Sequence, residues 1–550
     1  MARTPLLRWI ERSLLARRGL AHRPFDPGRR RVLAASAAGA IALPFLSASS
    51  GCSPSPIDVP VAIVGGGMAG LHAAYRLKRR GLLASVFEAA KRLGGRVFTD
   101  RDTFAKQSGQ HCELGGELID TGHLTMRDLA TELGIELLDY HADDPSLHTD
   151  SAFIGGRLVP DAELLAGFDP IAAAIDAAFA SATDANALPS YLDDNGLGDY
   201  DRMSIADFLD QAGASGPTRT LLEIAYTTEY GIPVAEQSAL NLITLVAATA
   251  QKIELYGASD ERFHAAVGND AFTAKLAATL DPNQIALEHR LTRVALRSDG
   301  RYDLAFALPS GSRDVVADRV LLTLPFTMLR QVDLAGVTLP AAKQRAIAEL
   351  GYGTNTKLMV GFSSRPWRAQ KANGTSYTDL GYQSTWETTR LQPGPEGILT
   401  DYTGGAHGIE VTSGTPEKQR DAFLAQLDQV FPGSAAASNG AVARFAWPTY
   451  ELTRGSYAGY KVGQWTTIAG AEGERVGNLL FAGEHCSRDA QGYMEGAALT
   501  GAMAAEQIAV DLGLAAQAAS IPARRIALRA RLALQEGSWI SAMARARRAG

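Results

Sequence analysis

The stretch from Val59 to Glu88 constrains this chain more than any other. An apolar run, Val59-Pro60-Val61-Ala62-Ile63-Val64, leads into Gly65-Gly66-Gly67-Met68-Ala69-Gly70 and then into a helical segment, Leu71 to Arg79. Gly65, Gly67 and Gly70 stand at the G-x-G-x-x-G spacing, where the glycines allow a tight turn, close approach of backbone to a pyrophosphate and close packing of helix on strand. Met68 and Ala69 open the helix where its positive end faces the phosphates. A second strand, Ala84-Ser85-Val86-Phe87, ends at Glu88, at the spacing expected of the carboxylate that binds a ribose hydroxyl and disfavours a 2′-phosphate. Together these features predict a Rossmann-like α/β dinucleotide-binding domain. The motif alone does not separate NAD from FAD, but the next segment does. In Lys91-Arg92-Leu93-Gly94-Gly95-Arg96-Val97 a second glycine pair and Arg96 bring backbone and a guanidinium to the same pyrophosphate.

At 550 residues the chain exceeds one hydrophobic core, and two domains of ordinary size are expected. An apolar fraction of 46% with a mean hydropathy of −0.05 describes a soluble globular protein. A net charge of −6 gives no electrostatic case for nucleic acid as a partner. Cys52, Cys112 and Cys486 are the only cysteines, which excludes a disulfide scaffold and a four-cysteine metal site, and no metal site is expected.

The first 56 residues read as a signal and tether. Arg29-Arg30-Arg31 precedes the modest apolar run Val32 to Leu46, a pattern of twin-arginine (Tat) export and of a partner in that machinery. The run is shorter and richer in alanine than a membrane span requires. Ser50-Gly51-Cys52 followed by Ser53-Pro54-Ser55-Pro56 is similar to a bacterial lipoprotein box, with Ser49 in place of its usual leucine and Cys52 as the candidate lipidation site. The expected location is exported, periplasmic or extracytoplasmic and membrane-associated.

Farther along, His111 to Asp120 carries the pair Gly115-Gly116 between Glu113 and Glu117, and an amphipathic helix is expected from about Leu124 to Leu133. From Asp150 to about Tyr256 the pattern is mostly helical, with a capping-box spacing at Ser204 to Asp207. Strand patterns return at Ile285 to Val294, Tyr302 to Ala307 and Val315 to Leu324, and again at Thr356 to Phe362, which carries Lys357. Near the end, Asn478 to His485 reads as a strand and turn through Gly483-Glu484. Gly492-Tyr493-Met494-Glu495-Gly496-Ala497 then opens a helix to about Leu512 whose N-terminus suits an anionic ligand edge.

These blocks, with Thr323-Leu324-Pro325 and Lys357, resemble the flavin-containing amine oxidase family of monoamine, polyamine and L-amino acid oxidases, over most of residues 59–512. The resemblance implies an FAD domain built from discontinuous segments and a mixed α+β substrate domain with a helical insertion. Expected boundaries are 1–56 signal and tether, 57–149, 261–330 and 450–515 for FAD, 150–260 and 331–449 for substrate, and 516–550 as a basic tail. It implies cofactor contacts at Gly65, Gly67, Met68, Ala69, Gly70, Glu88, Gly95, Arg96, Gly115, Gly116, Glu117, Val294, Gly483, Glu484, Tyr493, Met494, Glu495 and Ala497. Lys357 matches the lysine that holds a water beside flavin N5, and Tyr457 and Tyr493 match the aromatic pair flanking the amine. Ser456 stands where animal monoamine oxidases attach FAD through a cysteine, so the FAD is expected to be non-covalent. Cys486 is expected to be a buried small residue.

The implied reaction is oxidative deamination of a primary or secondary amine or an L-amino acid, with dioxygen as acceptor and hydrogen peroxide as product. Alternatives are a desaturase or porphyrinogen-type oxidase of the same fold, or a non-catalytic exported flavoprotein. Glu117 and Glu229 are candidate acids for a polyamine substrate, and no arginine is assigned to an α-carboxylate. The tail from Ser520 to Gly550 places seven arginines against the single acid Glu536, among apolar residues that include Trp539, and is a candidate for association with an anionic membrane surface.

Overall fold

A parallel core of Ile57–Val64 between Ser85–Phe87 and Gly311–Leu322 forms the centre of an eight-stranded sheet. The computed structural model describes residues 57–184, 187–249 and 251–514. The signal segment with Arg29-Arg30-Arg31, Cys52, and the basic tail from 516 to 550 lie outside the described residues. Residues 57–183 and 189–514 belong to one compact unit. The described part of the other unit is Asp184, Ala187 and Leu188, where the Asp184 carbonyl accepts the Ala187 N–H.

The strand Gly311–Leu322 explains how distant segments share the sheet. Its first part pairs antiparallel with Tyr302–Leu308, while Val320 to Leu322 pair parallel with Leu479–Phe481. The expected run from Ile285 to Val294 is two strands, Ile285–Ala286 and Arg290–Leu296, because Glu288 turns the chain with φ +58°. Asp333–Gly336 joins the same sheet beside Arg290–Leu296. Alternation along Ile57–Val64 gives way to four buried residues at its end, as a strand covered on both faces requires.

On this sheet lies the helix Met68–Arg79, crossed by Met494–Asp511. A Cβ on Gly501 would stand 2.2 Å from the Ala69 carbonyl oxygen, so only glycine permits this crossing. Gly70 has the same role against the strand end, since a Cβ there would meet the Gly65 carbonyl at 2.0 Å.

The second sheet has seven strands, in the order Ser438–Ala446, Thr356–Phe362, Gly397–Thr403, Ser384–Glu387, Ser376–Thr378, Ser151–Ile154 and Arg157–Leu158. The region from 150 is therefore not purely helical at its start. Gly155 and Gly156, at φ +61° and +77°, turn a short hairpin whose first strand runs parallel to Ser376–Thr378. Four buried residues in a row, Ser151 to Ile154, lack the period-2 signal that marks a half-exposed strand. After it, the helices Asp161–Ser181, Ile205–Gln211 and Gly216–Tyr230 follow the helical expectation. The expected capping box forms: Ser204 Oγ accepts the Asp207 N–H at 3.0 Å, and the Asp207 carboxylate accepts the Ser204 N–H at 3.1 Å.

Candidate active site

A cavity of about 700 Å³ runs from the first glycine turn to a wall of aromatic rings on the second sheet. Gly65, Gly67, Met68, Ala69, Glu88, Gly95, Arg96, Gly115, Gly116 and Glu117 line it, as do Gly483, Glu484, Tyr493, Met494 and Ala497. Segments separated by some four hundred positions thus share one space. At the turn, Gly67 caps the helix without a side-chain partner, leaving its first N–H groups directed toward the cavity. Glu88 accepts the N–H of Gly66 at 2.6 Å and of Ala90 at 2.8 Å, which fixes its carboxylate at the strand end. Burial pushes that carboxyl above its ordinary range, and the two N–H groups pull it back. Arg96 donates to Glu484 Oε1 at 2.8 Å and to the Ser456 carbonyl at 2.6 Å, joining three distant segments.

A dinucleotide fits this half of the cavity. Gly67 and Gly94 form a bridge, and nothing stands within 3.8 Å of a Cβ position on Gly67, so backbone alone lines the approach. Gly115 and Gly116 are obligatory for another reason: a Cβ would meet the Arg96 carbonyl at 1.9 Å or the Met494 side chain at 2.8 Å.

Three expected contacts lie elsewhere. Gly70 is a packing residue at the helix–strand crossing and does not line the cavity. Val294 is wholly buried in the core, and Leu291 lines the cavity instead. A bulge between Leu291 and Arg293 interrupts the alternation there, so that Thr292 and Arg293 are both exposed while Leu291 and Val294 both turn into the core. Glu495 also points away from the cavity: its carboxylate accepts the N–H groups of Thr125 at 3.1 Å and Met126 at 2.8 Å. It thereby caps the helix Leu124–Leu133, whose own N-cap, His123, makes no side-chain capping bond and uses its ring on Asp120 instead.

Lys357 is buried, with its three donors satisfied by Glu117 Oε2 at 2.7 Å, the Gly115 carbonyl at 2.9 Å and the Glu113 carbonyl at 3.1 Å. Glu117 also accepts from Trp386 Nε1 at 2.9 Å and from Thr388 Oγ1. Burial by itself would raise the Glu117 carboxyl, but Lys357, His264 and the Thr388 hydroxyl together hold it below the ordinary range. This ion pair commits Glu117 to structure at the cavity wall.

Tyr457 and Tyr493 line the same cavity, as expected of an aromatic pair. Tyr493 Oη donates to Glu229 Oε1 at 3.0 Å, while Tyr457 Oη donates to the Glu229 carbonyl and lies 2.8 Å from Tyr402 Oη. Burial pushes both phenols well above their ordinary range, so both rings remain neutral. Tyr402, Trp386, Tyr256 and Glu261 complete the wall and were not singled out from sequence. Tyr402 is the cross-strand partner of Lys357, a pairing that only the folded sheet reveals. Burial pushes the Glu229 carboxyl up to about 7, and desolvation along the cavity, with Asp120 and Glu229 beside it, raises that of Glu261, although Glu261 keeps exposed surface. Glu261 sits at φ +44°, a left-handed conformation uncommon for a non-glycine residue.

Ser456 Oγ donates to Asn355 Oδ1 at 2.6 Å and lines the cavity. Cys486 is a free thiol whose Sγ donates to the Glu472 carbonyl. Among the described residues the other free thiol, Cys112, is fully buried. His111, Glu113 and His264 also converge, but Glu113 is occupied by His264 Nε2 at 3.1 Å, Thr99 Oγ1 at 2.8 Å and the Asn269 N–H at 2.8 Å.

Comparison with known proteins adds an independent line. The profile of flavin containing amine oxidoreductases matches residues 68–509. A putative flavin-containing monoamine oxidase, AofH, of Mycobacterium tuberculosis is 27% identical over 480 residues, covering 83% of this chain and 98% of that protein. An L-amino-acid oxidase of Siganus canaliculatus is 25% identical over 77% of this chain and 80% of its own length. Among solved structures, cyclohexylamine oxidase from Brevibacterium oxydans superposes with a TM-score of 0.71 at 22% identity, over 83% of this chain and all of that one. Putrescine oxidase bound to putrescine gives 0.70 at 19% identity over the same shares. At those identities the two structures establish likeness of fold.

Proposed function

The chain belongs to the flavin-containing amine oxidoreductase family, an FAD-dependent group that oxidises amines or amino acids, and from that premise we propose that it deaminates an amine lacking an α-carboxylate. The observation that carries this reading is the wall that faces the amine. Tyr457 and Tyr493 stand in one cavity with the glycine turn, and the carboxyls of Glu229 and Glu261 line the wall with them. An α-carboxylate placed there would meet two acids, whereas an ammonium would be attracted. FAD held there would supply the acceptor for the α-hydrogen and its electron pair, with dioxygen as the final acceptor and hydrogen peroxide as the product of the proposed reaction.

The residues of the chain do the rest. Backbone of the glycine turns and the start of the Met68–Arg79 helix bind phosphate, and Glu88 takes ribose hydroxyls. The neutral rings orient the amine and exclude water, holding the reacting carbon in place. The Ser456 hydroxyl forms no thioether, so the cofactor is held without a covalent link. Lys357 is fixed at the cavity wall by Glu117.

A panel of amines and L-amino acids assayed for peroxide tests this reading. Turnover of amines with little or none of the amino acids is expected, and the reverse order would overturn the assignment. Flavin reduction without peroxide would redirect it to another acceptor. We also propose export through the twin-arginine route, on Arg29-Arg30-Arg31 and the apolar run after it. Replacing Arg29 and Arg30 by lysine should hold the protein in the cytoplasm, and an unchanged periplasmic level would refute export by that route.

A further inference from the structure

We propose that Glu229 receives the ammonium proton of the incoming amine, and that it does so in place because the same residue holds both aromatic rings. This rests on the amine-oxidising reading above and adds a proton acceptor to it.

Glu229 lies in the last turn of the helix Gly216–Tyr230, which ends at Gly231 in the left-handed conformation. Carbonyls of a last helical turn have no partner within the helix. The Glu229 carbonyl is satisfied by Tyr457 Oη, and its carboxylate Oε1 by Tyr493 Oη at 3.0 Å. One residue therefore sets two rings that come from different turns of the chain. Among the described residues, Oε2 has no hydrogen-bond partner, and the carboxylate belongs to the cavity wall.

The titratable groups around it are acids and phenols: Asp120 from the loop before Leu124–Leu133, Glu261, Tyr226 and Tyr230 on its own helix, and Tyr256, Tyr377, Tyr402, Tyr457 and Tyr493. Among the described residues no lysine, arginine or histidine forms an ion pair with it. An arriving ammonium would be the cation that this group of carboxyls lacks. Burial, with Asp120 adding to it, brings the Glu229 carboxyl up to about 7, close to the operating pH at which a proton acceptor works best.

The step balances without an oxidant. The N–H bond of R–CH₂–NH₃⁺ breaks, an O–H bond forms on the Glu229 carboxylate, and the products are a neutral carboxyl and R–CH₂–NH₂. The nitrogen lone pair so released assists departure of the α-hydrogen with its electron pair. The proton on Glu229 passes to solvent once the product has left, before the next turnover.

The test is anaerobic stopped-flow reduction of the FAD-loaded protein by an amine from the panel, followed across pH, in wild type, Glu229→Gln, Glu229→Asp and Glu261→Gln. Wild type should show an acidic limb near pH 7. Glu229→Gln keeps the carbonyl that holds Tyr457 and a partner for Tyr493. It should retain flavin but lose the limb, and reduce on the order of 10²-fold more slowly at pH 7, recovering as alkaline pH supplies free amine. Glu229→Asp, which still titrates, should keep a limb at a lower rate and serves if the glutamine variant does not load flavin. Glu261→Gln should keep the limb. An unchanged limb in Glu229→Gln, or its disappearance in Glu261→Gln alone, would overturn the assignment. Failure of any amine to reduce the wild-type flavin would instead count against the amine-oxidising reading itself.

Discussion

Lys357 Nζ lies 2.7 Å from Glu117 Oε2, with only 6% and 3% of the two side chains exposed. The pair joins the strand Thr356–Phe362 to the loop that follows Gly115-Gly116, on the wall of the cofactor cavity. An enclosed ion pair of this kind resists loss of one partner more than loss of both.

Replacing Lys357 by Met should therefore leave Glu117 as an uncompensated buried charge and lower stability by about 3–5 kcal/mol. The double variant Lys357→Met with Glu117→Gln should recover most of the loss in melting temperature. If Lys357 also serves flavin reoxidation by dioxygen, that half-reaction stays slow in the double variant while the melting temperature returns. Equal melting temperatures for wild type and the single variant would show that the pair does not matter to folding.

The mature protein should be yellow and should release its flavin on acid or heat precipitation, because Ser456 spends its hydroxyl on Asn355 and cannot form a thioether. Flavin that sediments with the denatured chain would contradict this.

Glu495→Ala removes the acceptor for two N–H groups at the start of Leu124–Leu133. A lost cap costs about 1 kcal/mol, and buried donors left unsatisfied raise this to about 1–3 kcal/mol. Thermal denaturation should show the loss, Glu495→Gln should largely avoid it, and flavin affinity measured by titration should not change. A large fall in affinity at full stability would return Glu495 to the cofactor site.

Asp401, on the strand Gly397–Thr403, has a carboxyl oxygen with no partner, and burial raises its pKa to about 8. The folded state then binds the proton more tightly than the unfolded chain, whose carboxyl titrates near about 4. Stability from this group is fully present below pH 4 and is lost as pH rises toward 8. Asp401→Asn should raise the melting temperature at pH 8 by a few degrees and flatten the decline between pH 4 and 8. Glu229 and Glu261 act in the same direction, so part of the slope should remain. A variant with the wild-type slope would remove Asp401 as its source.

How much of this was legible in the residues depends on how local each signal is. The strand–turn–helix around Gly65, Gly67 and Gly70, the helix Leu124–Leu133 and the strand Thr356–Phe362 are set by short-range rules of sterics, period and capping, and sequence alone determined them. The resemblance placed Tyr457 and Tyr493 together on motif residues that contiguous order preserves. What only the tertiary structure decided are the partners of long side chains. That Lys357 pairs with Glu117, that Glu495 caps a helix instead of facing the cofactor, and that Glu229 holds two rings at once all join residues hundreds of positions apart. The inward register after Arg290 depended on a bulge, which one-dimensional alternation does not encode. A carboxylate takes whichever donors the packed chain brings within reach, and burial then sets how strongly it holds its proton. Both follow from the folded arrangement of distant segments, so neither is written in the order of neighbouring residues.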